Sequence, residues 1–186
     1  MDSPPNPELI QYAEDLTRSW NTRYTAKTWR SEIDDVQGSG PIHIVTEAIC
    51  PNRYHVLVTG TQNTDTYYID KLMYKRNAQG PWVKSSMPMS YQGISFCRKA
   101  PAETIDAARI RLVAEQLRDI DLSKPVIREI AGRKCREWTR TFSNGKVPYN
   151  YTNCYDVSTH ELVQSVGGHS KATYYWNIPL DIEAPI

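Results

Sequence analysis

Hydrophobic spacing along the chain changes period three times, and each change marks a boundary between helix and strand. Asn6-Pro7-Glu8 has the composition of a helix start. Asn can cap the orphan backbone N–H groups, proline needs no N–H at the first helical position, and an acid suits the positive end of the dipole. Ile10, Ala13, Leu16, Trp20 and Tyr24 then recur at helical spacing and predict one face to bury. From about residue 27 the period falls to two. Strands are predicted over 27–36, 42–49, 53–60, 65–76 and 81–86, separated by Gly-, Pro- and Asn-rich punctuation. In "RYHVLV", Tyr54, Val56 and Val58 share a face, and His55 points the other way. A second helix is predicted from Pro101 to Asp121. Its apolar stripe is Ile105, Ala108, Leu112, Leu117 and Ile120, and its solvated face carries Glu103, Asp106, Arg111, Glu115 and Arg118. Five more strands follow, near 126–131, 134–143, 148–157, 161–166 and 171–176. The predicted class is α+β: one large, curved antiparallel sheet with helices on one side. A single domain spans 1–186, with 1–6 as a disordered lead.

The cysteines add a second constraint. Asn144-Gly145 lies midway between Cys135 and Cys154, and Asn-Gly between alternating runs is a strong hairpin signal because both residues tolerate positive φ. A two-residue turn there sets Cys135 directly opposite Cys154. It also puts Trp138, Arg140 and Phe142 on one face with Tyr149, Tyr151 and Tyr155. Pro148 conflicts with this register, since it would sit at a hydrogen-bonded site without an N–H; a bulge or longer turn would shift the partners. Facing positions and an even cysteine count favour a Cys135–Cys154 disulfide over two free thiols, and Cys50 with Cys97 pairs by elimination.

Composition then excludes several classes. The chain has 186 residues, 22 Lys plus Arg and 21 Asp plus Glu, for a net charge of +1. Nothing in that balance attracts nucleic acid or anionic lipid. No apolar run approaches the ~20 residues of a membrane-spanning helix. The polar, Pro-rich start "MDSPPNPEL" is not a signal peptide; it reads as a disordered lead, or as what remains after a targeting segment is removed.

Three stretches, "GRKCREW", "CYDVSTHELVQSV" and "ATYYWNIPLDIEAP", give the second half a likeness to a known family. They resemble the LolA/LppX-type carriers of bacterial lipoproteins and lipids. The matching positions are the aspartate turn at Asp156 leading into Leu162-Val163, the aromatic strand Tyr174-Tyr175-Trp176-Asn177, and the closing Ile182-Glu183-Ala184-Pro185. The resemblance implies an unclosed half-barrel with helices covering its concave face. It further implies an apolar cavity for acyl chains, a monomer, and a place in the periplasm or cell envelope, with or without a membrane tether. Four cysteines and an aromatic set of 12 Tyr against 2 Phe depart from the carriers. The expected function is non-catalytic binding of a hydrophobic small molecule or a lipid or lipoprotein acyl chain. Trp29, Ile33, Ile44, Tyr54, Val56, Val58, Tyr67, Ile69, Ile105, Leu112, Leu117, Trp138 and Tyr151 are the candidate lining residues. The alternative is a secreted interaction module with a filled core that docks a protein partner.

Signatures of catalysis are missing. There is no G-x-S-x-G, no H-E-x-x-H and no phosphate loop, and "GSGP" at 38 has no helix after it. The histidines at 43, 55, 160 and 169 and the four cysteines lack zinc-ligand spacing. No enzyme activity, cofactor or metal is expected. Asp34, Asp35 and Asp70 are read as strand-edge polarity, and His55, on the face opposite Tyr54, as a surface or edge residue.

Overall fold

The computed structural model describes residues 6–37, 40–87, 97, 104–143 and 148–185. Its helices are α1 (Pro7–Thr25) and α2 (Ala107–Gln116). Its strands are β1 (Thr28–Gln37), β2 (Gly40–Ile49), β3 (Arg53–Gly60), β4 (Thr64–Ile69), β5 (Leu72–Asn77), β6 (Val83–Ser86), β7 (Asp121–Leu122), β8 (Val126–Ile130), β9 (Arg133–Ser143), β10 (Pro148–Asp156), β11 (Leu162–Gly167) and β12 (Ser170–Trp176). The described strand pairings are antiparallel, so the expected α+β class is the observed one. The chain divides into two compact units: residues 1–22 with 101–168, and residues 23–100 with 169–186.

In the first unit the strand order is β11-β10-β9, and β9 also pairs with β7 and β8 along its length. Asn6 caps α1 as expected, its Oδ1 accepting the Leu9 N–H at 2.7 Å. The buried residues of α1, however, are Leu9, Tyr12, Ala13, Asp15, Leu16, Thr17 and Ser19; Trp20 is 44% exposed and Ile10 only half-buried. The reason is Asp15. This carboxylate is fully buried, a position that requires partners. Arg136 Nη1 donates to both its oxygens (2.9 and 3.0 Å), Trp138 Nε1 donates to Oδ2 (2.8 Å), and His160 Nδ1 lies 2.7 Å from Oδ1. Arg136 and Trp138 lie on β9 and His160 follows β10, so one side chain fixes the rotation of α1 on the sheet. Around it Tyr12 and Leu16 pack on Trp138 and Tyr155, with the Tyr12 ring centroid 5.5 Å from Trp138 and 6.4 Å from Tyr155. Burial raises the pKa of both tyrosines, most strongly that of Tyr155.

The second helix begins later than the sequence predicts. Residues 101–103, where its start was expected, lie outside the described residues. Asp106 is the N-cap, accepting the Arg109 N–H at 2.8 Å. That start places Ile110, Val113 and Ala114 against Leu9 and Ala13 of α1. The expected stripe is therefore corrected. Leu112 is 46% exposed, Ala108 is exposed, and Ile105 precedes the helix, half-buried beside the same cluster. In the run Ile110–Val113 only one residue is polar, so apolarity alone leaves the phase open. Two fully buried alanines, Ala13 and Ala114, let the helix surfaces approach and settle it.

The opposite face of this sheet holds the Cys135–Cys154 disulfide, with Val163 and half-buried Ile130. The faces of the β9–β10 hairpin are as predicted, with Trp138, Arg140, Tyr151 and Tyr155 on one side. The partners are shifted: Cys135 pairs with Asp156 and Cys154 with Glu137. The described ladder ends at the pair Ser143 and Pro148, so Pro148 sits at its end instead of interrupting it, and the expected turn residues Asn144 and Gly145 lie outside the described residues.

At the far end of β10, Asp156 organises the turn into β11. Its Oδ1 accepts from the Ser158 and Thr159 N–H groups (both 2.9 Å) and the Ser158 hydroxyl (2.6 Å), and Arg133 Nε donates to Oδ2 at 2.9 Å. Burial pushes this carboxyl pKa up, but the donors from Ser158, Thr159 and Arg133 outweigh it and hold the group well below its ordinary 3.8.

The second unit is a sheet of order β6-β5-β4-β3-β2-β1-β12. The segment 65–76, predicted as one strand, is the hairpin β4–β5, turned at Asp70 with φ of 57°. The Cys50–Cys97 disulfide forms as expected and packs against the core of Ala26, Trp29, Ala48, Tyr54, Tyr68 and Trp176.

Three outcomes follow for stability. Asp15→Ala leaves a half-buried guanidinium and a buried indole N–H without their acceptor and is expected to cost about 3–5 kcal/mol in urea unfolding. Ile110→Ala should cost about 2–4 kcal/mol, while Leu112→Ala should stay within about 0.5 kcal/mol. Because the folded Asp156 pKa is depressed, its stabilisation is complete above the unfolded value and is lost as pH falls through the folded one. The stability gap between the parent protein and Asp156→Asn should therefore shrink as unfolding is followed downward from pH 3.8.

Candidate functional site

Register places the second unit's side chains in rows that cross the strands. One row is Trp176, Trp29, Ala48, Tyr54, Tyr68, Met73 and Ser85. The next on the same face is Tyr174, Ser31, Thr46, Val56, Thr66, Lys75 and Val83, and the third runs Ala172, Ile33, Ile44, Val58, Thr64 and Asn77. Six expected lining residues, Trp29, Ile33, Ile44, Tyr54, Val56 and Val58, thus share one face. Their burial is graded: Trp29 and Tyr54 are buried, whereas Ile33, Ile44, Val56 and Val58 are half-buried. Tyr54 donates its hydroxyl to the Pro51 carbonyl at 3.0 Å, and burial raises its pKa.

Tyr67 and Ile69 are not with them. Tyr54 pairs with Tyr68, which puts Tyr67 opposite His55 and Ile69 opposite Arg53 on the other face. Two consecutive tyrosines make the phase of "TDTYYI" ambiguous to alternation, and the pairing resolves it. Tyr68, Met73, Ala48 and Trp176 belong to the apolar face and are absent from the sequence-based set. Period-two spacing from Asp70, once recognised as a turn, would have found Tyr68.

The remaining expected residues are in the first unit. Trp138 is buried core under α1, and Leu117 is half-buried against the same cluster. Ile105 and Leu112 are placed as described above. Tyr151 is exposed at its edge, donor and acceptor meeting at 2.6 Å between Ser165 Oγ and its hydroxyl. Its ring lies so close to Gly167 that a Cβ there would come within 2.4 Å of Cδ2, so a larger residue would have to displace the ring.

The opposite face of the second unit is polar and closed on itself. Arg30 Nη1 donates to Glu47 Oε1 (2.9 Å), Glu47 Oε2 meets His55 Nδ1 (3.1 Å), His55 Nε2 meets Asp65 Oδ1 (2.9 Å), and Arg76 Nη2 donates to Asp65 Oδ2 (2.8 Å). His55 is therefore not on an edge: its strand lies between β2 and β4, and its side chain is 16% exposed. Tyr67 stacks on the His55 ring at 4.2 Å, and Trp82 meets Tyr67 edge-on at 5.6 Å. Burial, then the negative charges of Asp65 and Glu47, raise the Tyr67 pKa against the opposing pull of Arg76. Each carboxylate here already has a cationic partner, so the row is built as a brace. Among the described residues no group of three or more His, Cys, Asp or Glu side chains is placed to hold a metal ion, and no helix is long and apolar enough to cross a membrane.

No family model matches the chain, and no curated protein matches it. Among solved structures it is similar to the complex of Pseudomonas aeruginosa MucA and MucB, at 13% identity over 90% of this chain and 56% of that one, with a TM-score of 0.45. A second structure of MucB in complex with MucA(peri) is similar at 12% identity, 89% and 53% coverage and a TM-score of 0.42. A DUF1329 family protein from Desulfovibrio piger is similar at 12% identity, 91% coverage of both chains and a TM-score of 0.29. The chain spans just over half the length of the chains it matches in the two MucB structures, and all three likenesses are distant.

Proposed function

We propose that this chain is a non-catalytic protein of an oxidising compartment, the periplasm or cell envelope, that binds a hydrophobic ligand on the apolar face of its second unit. A lipid or a lipoprotein acyl chain is the ligand class that suits such a face. The observation that carries the reading is the alignment of Ile33, Ile44, Val56 and Val58 beside the buried Trp29–Tyr54 core. Ile33, Ile44 and Val58 pair in one row, and Val56 lies on the same face in the next row between Thr46 and Thr66; all four are only half-buried, so they keep apolar area for a ligand to cover. Each methylene removed from water contributes about 0.8 kcal/mol, so a few acyl carbons suffice for reversible binding. Two disulfides support the compartment. The resemblance to LolA/LppX-type carriers in the second half supports the ligand class.

Docking of a protein partner is the second reading, and β8 favours it. Among the described residues this strand pairs on one side only, with β9, and exposes Val126 (49%) and Ile127 (50%). An edge with exposed β-branched residues is a site for strand addition.

Titration with the neutral fluorescent probe N-phenyl-1-naphthylamine tests the first reading. Saturable binding is expected, weakened about ten-fold or more by Val58→Lys and left unchanged by Thr59→Lys on the opposite face, with both variants retaining cooperative melts. No saturable binding by the parent protein would refute it and leave the protein partner ahead.

A further inference from the structure

At the β5–β6 hairpin the apolar face ends in a cavity of about 390 Å³, within the size range of small-molecule sites. Its wall contains Met73, Lys75, Pro81, Val83 and Ser85 together with Arg76, Asn77 and Gly80. Pairing of Met73 with Ser85 and of Lys75 with Val83 puts those four side chains on one side of the hairpin. The loop through Gly80 and Pro81 closes the end, where the Gly80 N–H bonds the Asn77 carbonyl at 2.9 Å.

The charge of this cavity is one-sided. None of its lining residues is acidic, and two are cationic. Arg76 is already committed: its guanidinium bonds Asp65 and lies 4.5 Å over the Trp82 ring. Lys75 is exposed and, among the described residues, has no ion pair or hydrogen bond. Beside it the Ser85 hydroxyl oxygen is buried and, among the described residues, has no hydrogen-bond partner. A buried hydroxyl left unpaired is costly, and an acceptor in the cavity would relieve it after a rotation about χ1. Met73, Pro81 and Val83 supply apolar wall, and Lys75 with Ser85 supplies a cation and a neutral donor close together.

We infer that this cavity binds a compact organic monoanion, a carboxylate whose apolar body lies on Met73, Pro81 and Val83 and whose oxygens meet Lys75 and Ser85. A charge-assisted contact to the ammonium makes the anion preferred over a neutral molecule of the same shape. The inference does not rest on the reading of the aliphatic rows, and a water-soluble anion tests it separately.

Isothermal titration of the whole chain with 2-naphthoate and with its neutral counterpart 2-naphthamide decides the matter. One equivalent of naphthoate should bind, and naphthamide should bind about ten-fold more weakly. Lys75→Gln should erase that difference by weakening naphthoate alone. Val83→Asp, at an exposed lip position, should lower naphthoate affinity more than naphthamide affinity, because the new carboxylate repels the anion. Equal affinity for the two compounds, an unchanged ratio in Lys75→Gln, or no saturable binding of naphthoate would overturn the inference. None of these results depends on how N-phenyl-1-naphthylamine behaves.

Discussion

A carboxylate with no access to water is stable only where donors are already waiting for it, and Asp15 is such a group. Its partners come from two places that are distant in sequence, β9 and the turn after β10, so the bond set forms only when α1 is seated on the sheet. The aromatic cluster of Tyr12, Trp138 and Tyr155 then closes over it. The buried Leu9, Tyr12, Ala13 and Leu16 favour one face of α1. With Asp15, one rotation keeps every donor satisfied. The placement of α2 follows, because the small surface at Ala13 that receives Ala114 is presented by that rotation.

The second unit solves its burial problem differently. Its described core is Ala26, Trp29, Ala48, Tyr54, Tyr68 and Trp176. One face is apolar and graded from buried to half-buried, and the other is braced by paired charges. On the apolar face the row Ile33, Ile44 and Val58 stays half-buried, whereas on the polar face Glu47 and Asp65 are each paired with an arginine.

Much of the fold was legible because its signals are local. The Asn6 cap, the alternation of Tyr54, Val56 and Val58, and the faces of the β9–β10 hairpin all rest on a few adjacent residues. The pairings of Cys135 with Cys154 and of Cys50 with Cys97 were legible too, the first from symmetry about a turn and the second by elimination. What failed needed tertiary information. A buried Asp15 cannot be told from a solvated one until its partners are known, so the stripe of α1 was read through Trp20 and not through Asp15. In α2, Leu112 and Ile110 are equally apolar, and only the opposing helix chooses between them. For the candidate face, a missed turn at Asp70 left the phase of β4 open and drew Tyr67 and Ile69 to the wrong side. The cavity at β5–β6 was invisible because its wall joins residues on both sides of a loop.

The charged row from Arg30 to Arg76 has a consequence for how the strands find one another. Apolar alternation has a period of two, so it cannot distinguish the correct pairing from one displaced by two residues; both bury the same face. Specific polar partners in a fixed order can. If β3 slid by two against β2, Glu47 would lie across from Leu57 or Arg53 in place of His55. Glu47 would then lose the imidazole it shares with Asp65, and the chain of contacts across five strands would be broken. The row therefore works as a key with a single fit: hydrophobicity sets the parity of the sheet, and electrostatics selects among the registers of equal parity.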